Sequence, residues 1–265
     1  MEAAPKRGFG KEEAAALNLE FEGRGAREVL KWAVDNLHPR VALATSFQVQ
    51  GMVLIDMIMD ISRDARIFTL DTGRLNQETY DVMDEVRKRY GARVEALFPD
   101  AKEVEDMVRE KGPNLFYSGK PNRILCCEIR KVRPLRKYLA GLDAWITSIR
   151  RDQTESRAGA ERFEIDEQNG GILKINPLVD WTNEEVWDYI RKNRVPYNKL
   201  HDMGYPSIGC APCTRAVKPG EDERAGRWWW ESGSDKECGL HFSHDDNDNS
   251  RDVSKPGAAG NPKTN

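Results

Sequence analysis

Five cysteines hold most of the chemistry this chain could perform, and their spacing divides them into four and one. Cys126 and Cys127 are adjacent, Cys210 and Cys213 bracket a Cys-Ala-Pro-Cys step, and Cys238 stands alone in Glu237-Cys238-Gly239-Leu240-His241. Thiolates are soft ligands that select zinc, copper(I) or iron–sulfur centres, and four are the usual complement of a [4Fe–4S] cluster. Adjacent thiolates do not match the zinc-knuckle spacing, in which two intervening residues let both sulfurs reach one ion. A cubane spreads its irons over a larger body, so neighbours on one helix can ligate different irons. The spacing favours a [4Fe–4S] cluster on Cys126, Cys127, Cys210 and Cys213 over zinc. With 82 residues (128 to 209) between the pairs, it would join distant parts of the chain. A disulfide between vicinal cysteines forms only with strain. A redox dithiol at Cys210 and Cys213 would need a helix start after a strand, whereas this pair sits in a loop-rich stretch.

Cys238 reads as a nucleophile near the carboxyl terminus, with His241 three residues on to orient or activate it. The plainer alternative is a small buried hydrophobe. Arg150, Arg151 and Arg157 in one loop, and Arg224 and Arg227 ahead of Trp228-Trp229-Trp230, could clamp an anion, since guanidinium groups grip phosphate and sulfate with paired bonds. Charged loops are otherwise simply solvated. Lys131, one turn after Cys127 on the same helix face, could touch both a cluster and a substrate.

These residues sit in a chain of 265 with 39% hydrophobic content, enough for a sizeable core, and a net charge of −3 that does not advertise nucleic acid. Between Arg123 and Lys137 six basic residues face one acid, Glu128, so a local positive field surrounds the cysteine pair and points to a small anionic ligand. The longest apolar run, Met52-Val53-Leu54-Ile55, is far short of the roughly 20 residues a membrane span needs. The amino terminus lacks the apolar stretch of a secretory signal. A cytoplasmic location is expected, where clustered cysteines bind metal more often than they form disulfides.

Apolar periodicity supplies the supporting elements. Ala26 to Leu37 has helical spacing, Val41 to Thr45 is a short buried strand, and Ser46-Phe47-Gln48 turns into a helix with Met52, Ile55 and Met59 on one face. Strands at 65–70, 93–97 and 143–147 alternate with helices at about 77–90, 102–111 and 123–139. Residues 112–122 and 148–160 read as loops, 162–165 and 172–175 as a hairpin, and Thr182-Asn183-Glu184-Glu185 as a capping box opening a helix to about Asn193. The expectation is an α/β fold with a mainly parallel, doubly wound sheet and an irregular C-terminal segment, its ligand edge at the strands' carboxyl ends. An N-terminal extension (1–25), one domain (26–242) and a disordered tail (243–265) complete it.

Four motifs in order then carry a resemblance: Cys126-Cys127-Glu128-Ile129-Arg130-Lys131, Ile208-Gly209-Cys210-Ala211-Pro212-Cys213-Thr214-Arg215, Gly226-Arg227-Trp228-Trp229-Trp230-Glu231 and Glu237-Cys238-Gly239-Leu240-His241. From about Ala26 to His241 the chain resembles the assimilatory adenylylsulfate (APS) reductases of bacteria, a family similar to the phosphoadenylylsulfate (PAPS) reductases. The resemblance implies an ATP-pyrophosphatase-like (adenine nucleotide α-hydrolase) fold, a [4Fe–4S] cluster on the four cysteines, and catalysis by Cys238, Lys131 and His241. It implies nucleotide contacts from Ser46, Phe47, Gln48, Leu70, Thr72, Gly73, Arg74, Ser148 and Arg157, with Arg224 and Arg227 closing over the substrate. The implied reaction reduces APS to sulfite and AMP through an S-sulfocysteine, with external thioredoxin as reductant, in sulfate assimilation and cysteine biosynthesis. The family tends to form homo-oligomers. PAPS reduction is the nearest alternative, and a zinc-stapled interaction protein with an idle Cys238 a distant one. A tRNA-thiolation enzyme of the pyrophosphatase type would carry a Ser-Gly-Gly-x-Asp-Ser loop, which the turn at Ser46 lacks.

Overall fold

A computed structural model describes residues 7–231. The short apolar runs become six strands: β1 (Val41–Ala44), β2 (Arg66–Leu70), β3 (Val94–Leu97), β4 (Ala144–Ile146), β5 (Phe163–Asp166) and β6 (Ile172–Ile175). They form one sheet in the order β3-β2-β1-β4-β6-β5, parallel except for β5, which returns antiparallel on β6 with Phe163 opposite Ile175. This is the expected mainly parallel, doubly wound α/β fold. The strand order reverses at β1, which has β2 on one side and β4 on the other, so a crevice opens between the carboxyl ends of β1 and β4.

The helices are α1 (Lys11–Glu20), α2 (Ala26–Leu37), α3 (Val49–Ile61), α4 (Gln77–Tyr90), α5 (Ala101–Lys111), α6 (Lys120–Cys127), α7 (Arg133–Leu139) and α8 (Asn183–Asn193). Because side chains alternate along a strand, the sheet has two apolar faces. Val41, Leu43, Ile67, Ala144, Ile146, Leu173 and Ile175 join the larger core with residues of α2, α3 and α8. Ala42, Phe68, Trp145 and Ile172 pack against Leu135 and Leu139 of α7 on the other side. Where one apolar face was expected, α3 is apolar almost all round, with Val49, Met52, Val53, Leu54, Ile55 and Met57 to Met59 buried. Its Asp56 accepts hydrogen bonds from the Tyr90 and Tyr189 hydroxyls, each at 2.8 Å, which ties α3 to α4 and α8.

Three sequence expectations change. The segment before residue 26, expected as an extension, contains α1, whose Ala14 and Leu17, with Phe9 and Phe21, enter the larger core. The stretch 112–122, read as a loop from its Gly, Pro and Asn content, holds a 3-10 turn at Leu115–Ser118 and the start of α6. Pro121 sits in the first helical turn, where a missing N–H costs nothing. The single helix expected over 123–139 is broken by a π-helical turn, Glu128–Val132, closed by the Arg133 N–H on the Glu128 carbonyl. Pro134 explains it: proline can give no hydrogen bond to the carbonyl four residues back, and its ring crowds that carbonyl. The expected tail from Ser243 lies outside the described residues.

His201 is half-buried beside Trp187 (ring centroids 5.6 Å apart), and its inaccessible Nε2 has no hydrogen-bond partner. Burial pushes its pKa from 6.5 down to about 4. The unfolded chain therefore takes up this proton first, so the stabilisation is complete above about pH 6.5 and is lost as the pH falls toward 4. Thermal unfolding followed from pH 8 to 4.5 is expected to show a falling midpoint, with this site contributing on the order of 1–3 kcal/mol. His201→Gln should flatten that slope; an unchanged slope would contradict the assignment.

Candidate active site

The crevice between β1 and β4 is a cleft of about 230 Å³. The turn after β1 supplies Thr45, Ser46 and Gln48, the edge after β2 supplies Leu70 and Thr72, and the segment after β4 supplies Thr147, Ser148, Ile149 and Arg150. The turn after β1 is tight because Phe47 takes a positive φ of 56° and its N–H donates to the Thr45 hydroxyl at 3.0 Å. The helix α3 then starts at the cleft, with Gln48 and Gln50 lining it and no side chain capping its first turn, and a helix N-terminus is suited to an anion. Gly51 makes this close approach possible, since a Cβ there would stand 2.6 Å from Thr45 Oγ1. Gly51→Ala is expected to displace the turn and weaken anion binding in the cleft by about tenfold or more. Thr45→Ala in the same chain should restore part of the affinity, as measured by calorimetry.

After β2 the chain folds back on itself. The Asp71 carboxylate accepts from the Gly73 N–H at 2.8 Å and from the Tyr80 hydroxyl at 2.9 Å, and burial together with that carboxylate pushes the Tyr80 pKa up to about 12. Arg130 from the π-helical turn donates to the Thr72 carbonyl at 2.6 Å, locking this edge to the cysteine-bearing helix.

Five cations line the cleft, Lys131, Arg150, Arg157, Arg224 and Arg227, against one carboxylate, Glu223. Arg150 is almost fully buried, donates to Asp152 at 2.9 Å and leaves Nε without an acceptor. Burial lowers its pKa. Arg151, expected in the same clamp, turns away and pairs with Asp180. Ser46, Gln48, Leu70, Thr72, Lys131, Ser148, Arg157, Arg224 and Arg227 thus share one cleft. Three other expected residues do not line it. The Phe47 ring is fully buried in the larger core, Gly73 backs onto the Arg130 guanidinium, and Arg74 stacks on Phe116 and donates to the Pro113 carbonyl at 2.8 Å. Cys238 and His241 lie outside the described residues.

A second, smaller cavity adjoins the cleft. All four expected cysteines line it, Cys126 and Cys127 from the end of α6 and Cys210 and Cys213 from a 3-10 turn at Ala211–Cys213, and none is in a disulfide. Cys126, Cys210 and Cys213 share a buried apolar cluster with Met107, Leu115, Phe116 and Trp228. Burial pushes the Cys126 thiol up and the Cys213 thiol up to about 12. Arg74, Arg123, Arg130, Lys131 and Arg227 also line the cavity. Arg123 Nη2, Arg130 Nε and Trp228 Nε1 are buried there with no acceptor. Four thiols ringed by cations and unmatched N–H donors suit an anionic, sulfide-bearing cluster. Among the described residues no group of three or more His, Cys, Asp or Glu is arranged about a single ion. Lys131, Cys210 and Arg227 line both spaces and so form their common wall. Cys210 Sγ also lies 3.2 Å from the Thr72 hydroxyl.

Sequence reasoning passed over Glu223, the buried Arg123, and the role of Gly209 beside Arg227. Arg123 carried no signal beyond its basic neighbours. Gly209 could have been suspected from its position directly before Cys210.

A doubly wound α/β domain with a cationic cleft at its switch point defines the general class, a nucleotide- or anion-binding α/β protein. More particularly, the chain belongs to the phosphoadenosine phosphosulfate reductase domain family, whose model matches residues 40–216. It is therefore an oxidoreductase. It is 50% identical over 201 residues to an adenosine 5'-phosphosulfate reductase of Allochromatium vinosum, covering 76% of this chain and 78% of that one. It is 46% identical to the enzyme of that name from Burkholderia cepacia, covering 87% and 92%. The crystal structure of a phosphoadenylyl-sulfate (PAPS) reductase from Candida auris superimposes with a TM-score of 0.69 at 30% identity, over 80% of this chain and all of that one. No helix among the described residues is long and apolar enough to cross a membrane.

Proposed function

We propose that this enzyme reduces adenylylsulfate to sulfite and AMP in sulfate assimilation. The observation that carries the reading is the common wall: Lys131, Cys210 and Arg227 face both the anion cleft and the cysteine cavity. The adenylyl group would lie in the crevice, its phosphate and sulfuryl oxygens near the start of α3 and the five cations. The Cys238 thiolate attacks the sulfuryl sulfur, a sulfur–sulfur bond forms, and the sulfur–oxygen bond to phosphate breaks with its electron pair leaving on AMP. Lys131, Arg224 and Arg227 stabilise the charge that develops on the sulfuryl and phosphate oxygens.

The S-sulfocysteine on Cys238 is then reduced from outside. A thiolate of reduced thioredoxin attacks Cys238 Sγ, sulfite departs with the electron pair, and the second thioredoxin thiol resolves the mixed disulfide. The dithiol supplies both electrons. Cys126, Cys127, Cys210 and Cys213 would hold a [4Fe–4S] cluster, which when bound supplies a fixed, polarisable charge beside Lys131. His241 would orient the Cys238 thiol.

Sulfite release from APS and from PAPS, measured side by side with reduced thioredoxin, tests the reaction. APS turnover is the expected result. Turnover of PAPS alone would favour the second reading, which the superposition on the Candida auris enzyme supports. Zinc without acid-labile sulfide in anaerobically purified protein would overturn the cluster and favour a stapled scaffold.

A further inference from the structure

Arg227 presents an unusual problem of charge. It is a buried guanidinium that donates to the Ser207 hydroxyl at 3.2 Å and, at 3.5 Å, to the Ile208 carbonyl, while its Nε has no acceptor. Among the described residues it meets no carboxylate. A buried cation normally requires a partner. Beside it stands the Trp228 indole, whose ring centroid lies 4.8 Å from the Arg227 guanidinium carbon.

We propose that Trp228 is a positioning residue for the anion cleft, holding the Arg227 guanidinium against the common wall through its π face. The physical advantage over a carboxylate is direct. A carboxylate would fix the guanidinium but neutralise it, whereas an aromatic quadrupole attracts the cation and leaves its full charge available to the ligand. The indole is itself held still. A second guanidinium, Arg123, lies 4.4 Å from its centroid, and that one is neutralised, donating from Nε to Glu231 at 2.8 Å. The Trp228 backbone, at a positive φ of 40°, donates to the Cys213 carbonyl at 3.2 Å, and an antiparallel bridge joins Arg227 to Thr214. Gly209 completes the seat, since a Cβ there would come within 2.4 Å of Arg227 Nη2. One cation–π contact is thus paired and structural, and the other is unpaired and faces the cleft.

The proposal rests on the reading that the cleft binds an adenylyl anion, and the test separates the two. Tryptophans bearing increasing numbers of fluorine atoms, placed at position 228 of the full chain, weaken the π face with little change of shape. AMP affinity is then measured by calorimetry. Log Kd is expected to rise steadily along the series, reaching about a three- to thirtyfold loss. The slope should vanish in an Arg227→Leu background, where only the Arg123 contact with the ring remains. If the unmodified protein binds AMP and the series is flat, or if the slope survives Arg227→Leu, the proposal is wrong. If the unmodified protein does not bind AMP at all, the nucleotide reading of the cleft fails instead.

Discussion

Replacing Cys238 with serine is expected to reduce sulfite release from APS to the assay floor, a loss of at least about a thousandfold, while AMP affinity and iron content stay at their original values. The size follows from the chemistry: a serine hydroxyl is almost wholly protonated at neutral pH and is a far weaker nucleophile than a thiolate toward sulfur. The selectivity follows from position. The substitution alters none of the five cations that line the cleft and none of the four cysteines that line the cavity. Incubating unmodified protein with APS and no reductant should add the mass of one sulfonate to the Cys238 peptide, and the serine variant should gain nothing. A serine variant that still releases sulfite, or an unmodified Cys238 peptide from protein that has consumed APS, would remove the covalent route.

Much of the scaffold was legible because buried parallel strands write themselves as short apolar runs. Val41 to Ala44 and Ile172 to Ile175 stand out in that way, and Asn169-Gly170-Gly171 marks the reversal into β6, where both glycines have positive φ. The two cysteine pairs, conspicuous in type and spacing, do line one cavity. What escaped was set by tertiary packing. Phe47 looked like part of a ligand-binding turn, yet its ring fills the larger core and only its backbone shapes the turn. Arg74, in a motif at a ligand-collecting edge, was drawn instead to the Phe116 ring and the Pro113 carbonyl on the cysteine side. Pro134 is the one sequence signal of the break in the helix after Cys127, and the expected single helix over 123–139 ignores it. Apolar periodicity carried straight through it, because a π-helical turn adds one residue without reversing the chain.

That same turn explains the second large effect, expected at Lys131. Its side chain leaves the widened segment where Arg130 is committed to the Thr72 carbonyl and Arg133 is drawn to Glu103. Lys131 alone of this basic run lines both the cleft and the cysteine cavity. On the proposed reaction a positive charge there would act on the sulfuryl oxygens as the sulfur–oxygen bond breaks, where one well-placed group contributes about a hundred- to a thousandfold in rate. Lys131→Met keeps the stem and removes the charge, and it is expected to lower kcat by that factor while raising the Kd for AMP much less, since AMP lacks the sulfuryl group. Lys131→Arg keeps the charge but brings a broader, planar head into a wall already holding Arg227, so it should recover activity only in part. Iron and sulfide content measured on both variants separates the electrostatic role from a structural one. If Lys131→Met loses AMP affinity and turnover by equal factors, the lysine serves only to bind the nucleotide phosphate, and charge stabilisation during transfer must come from Arg224 and Arg227.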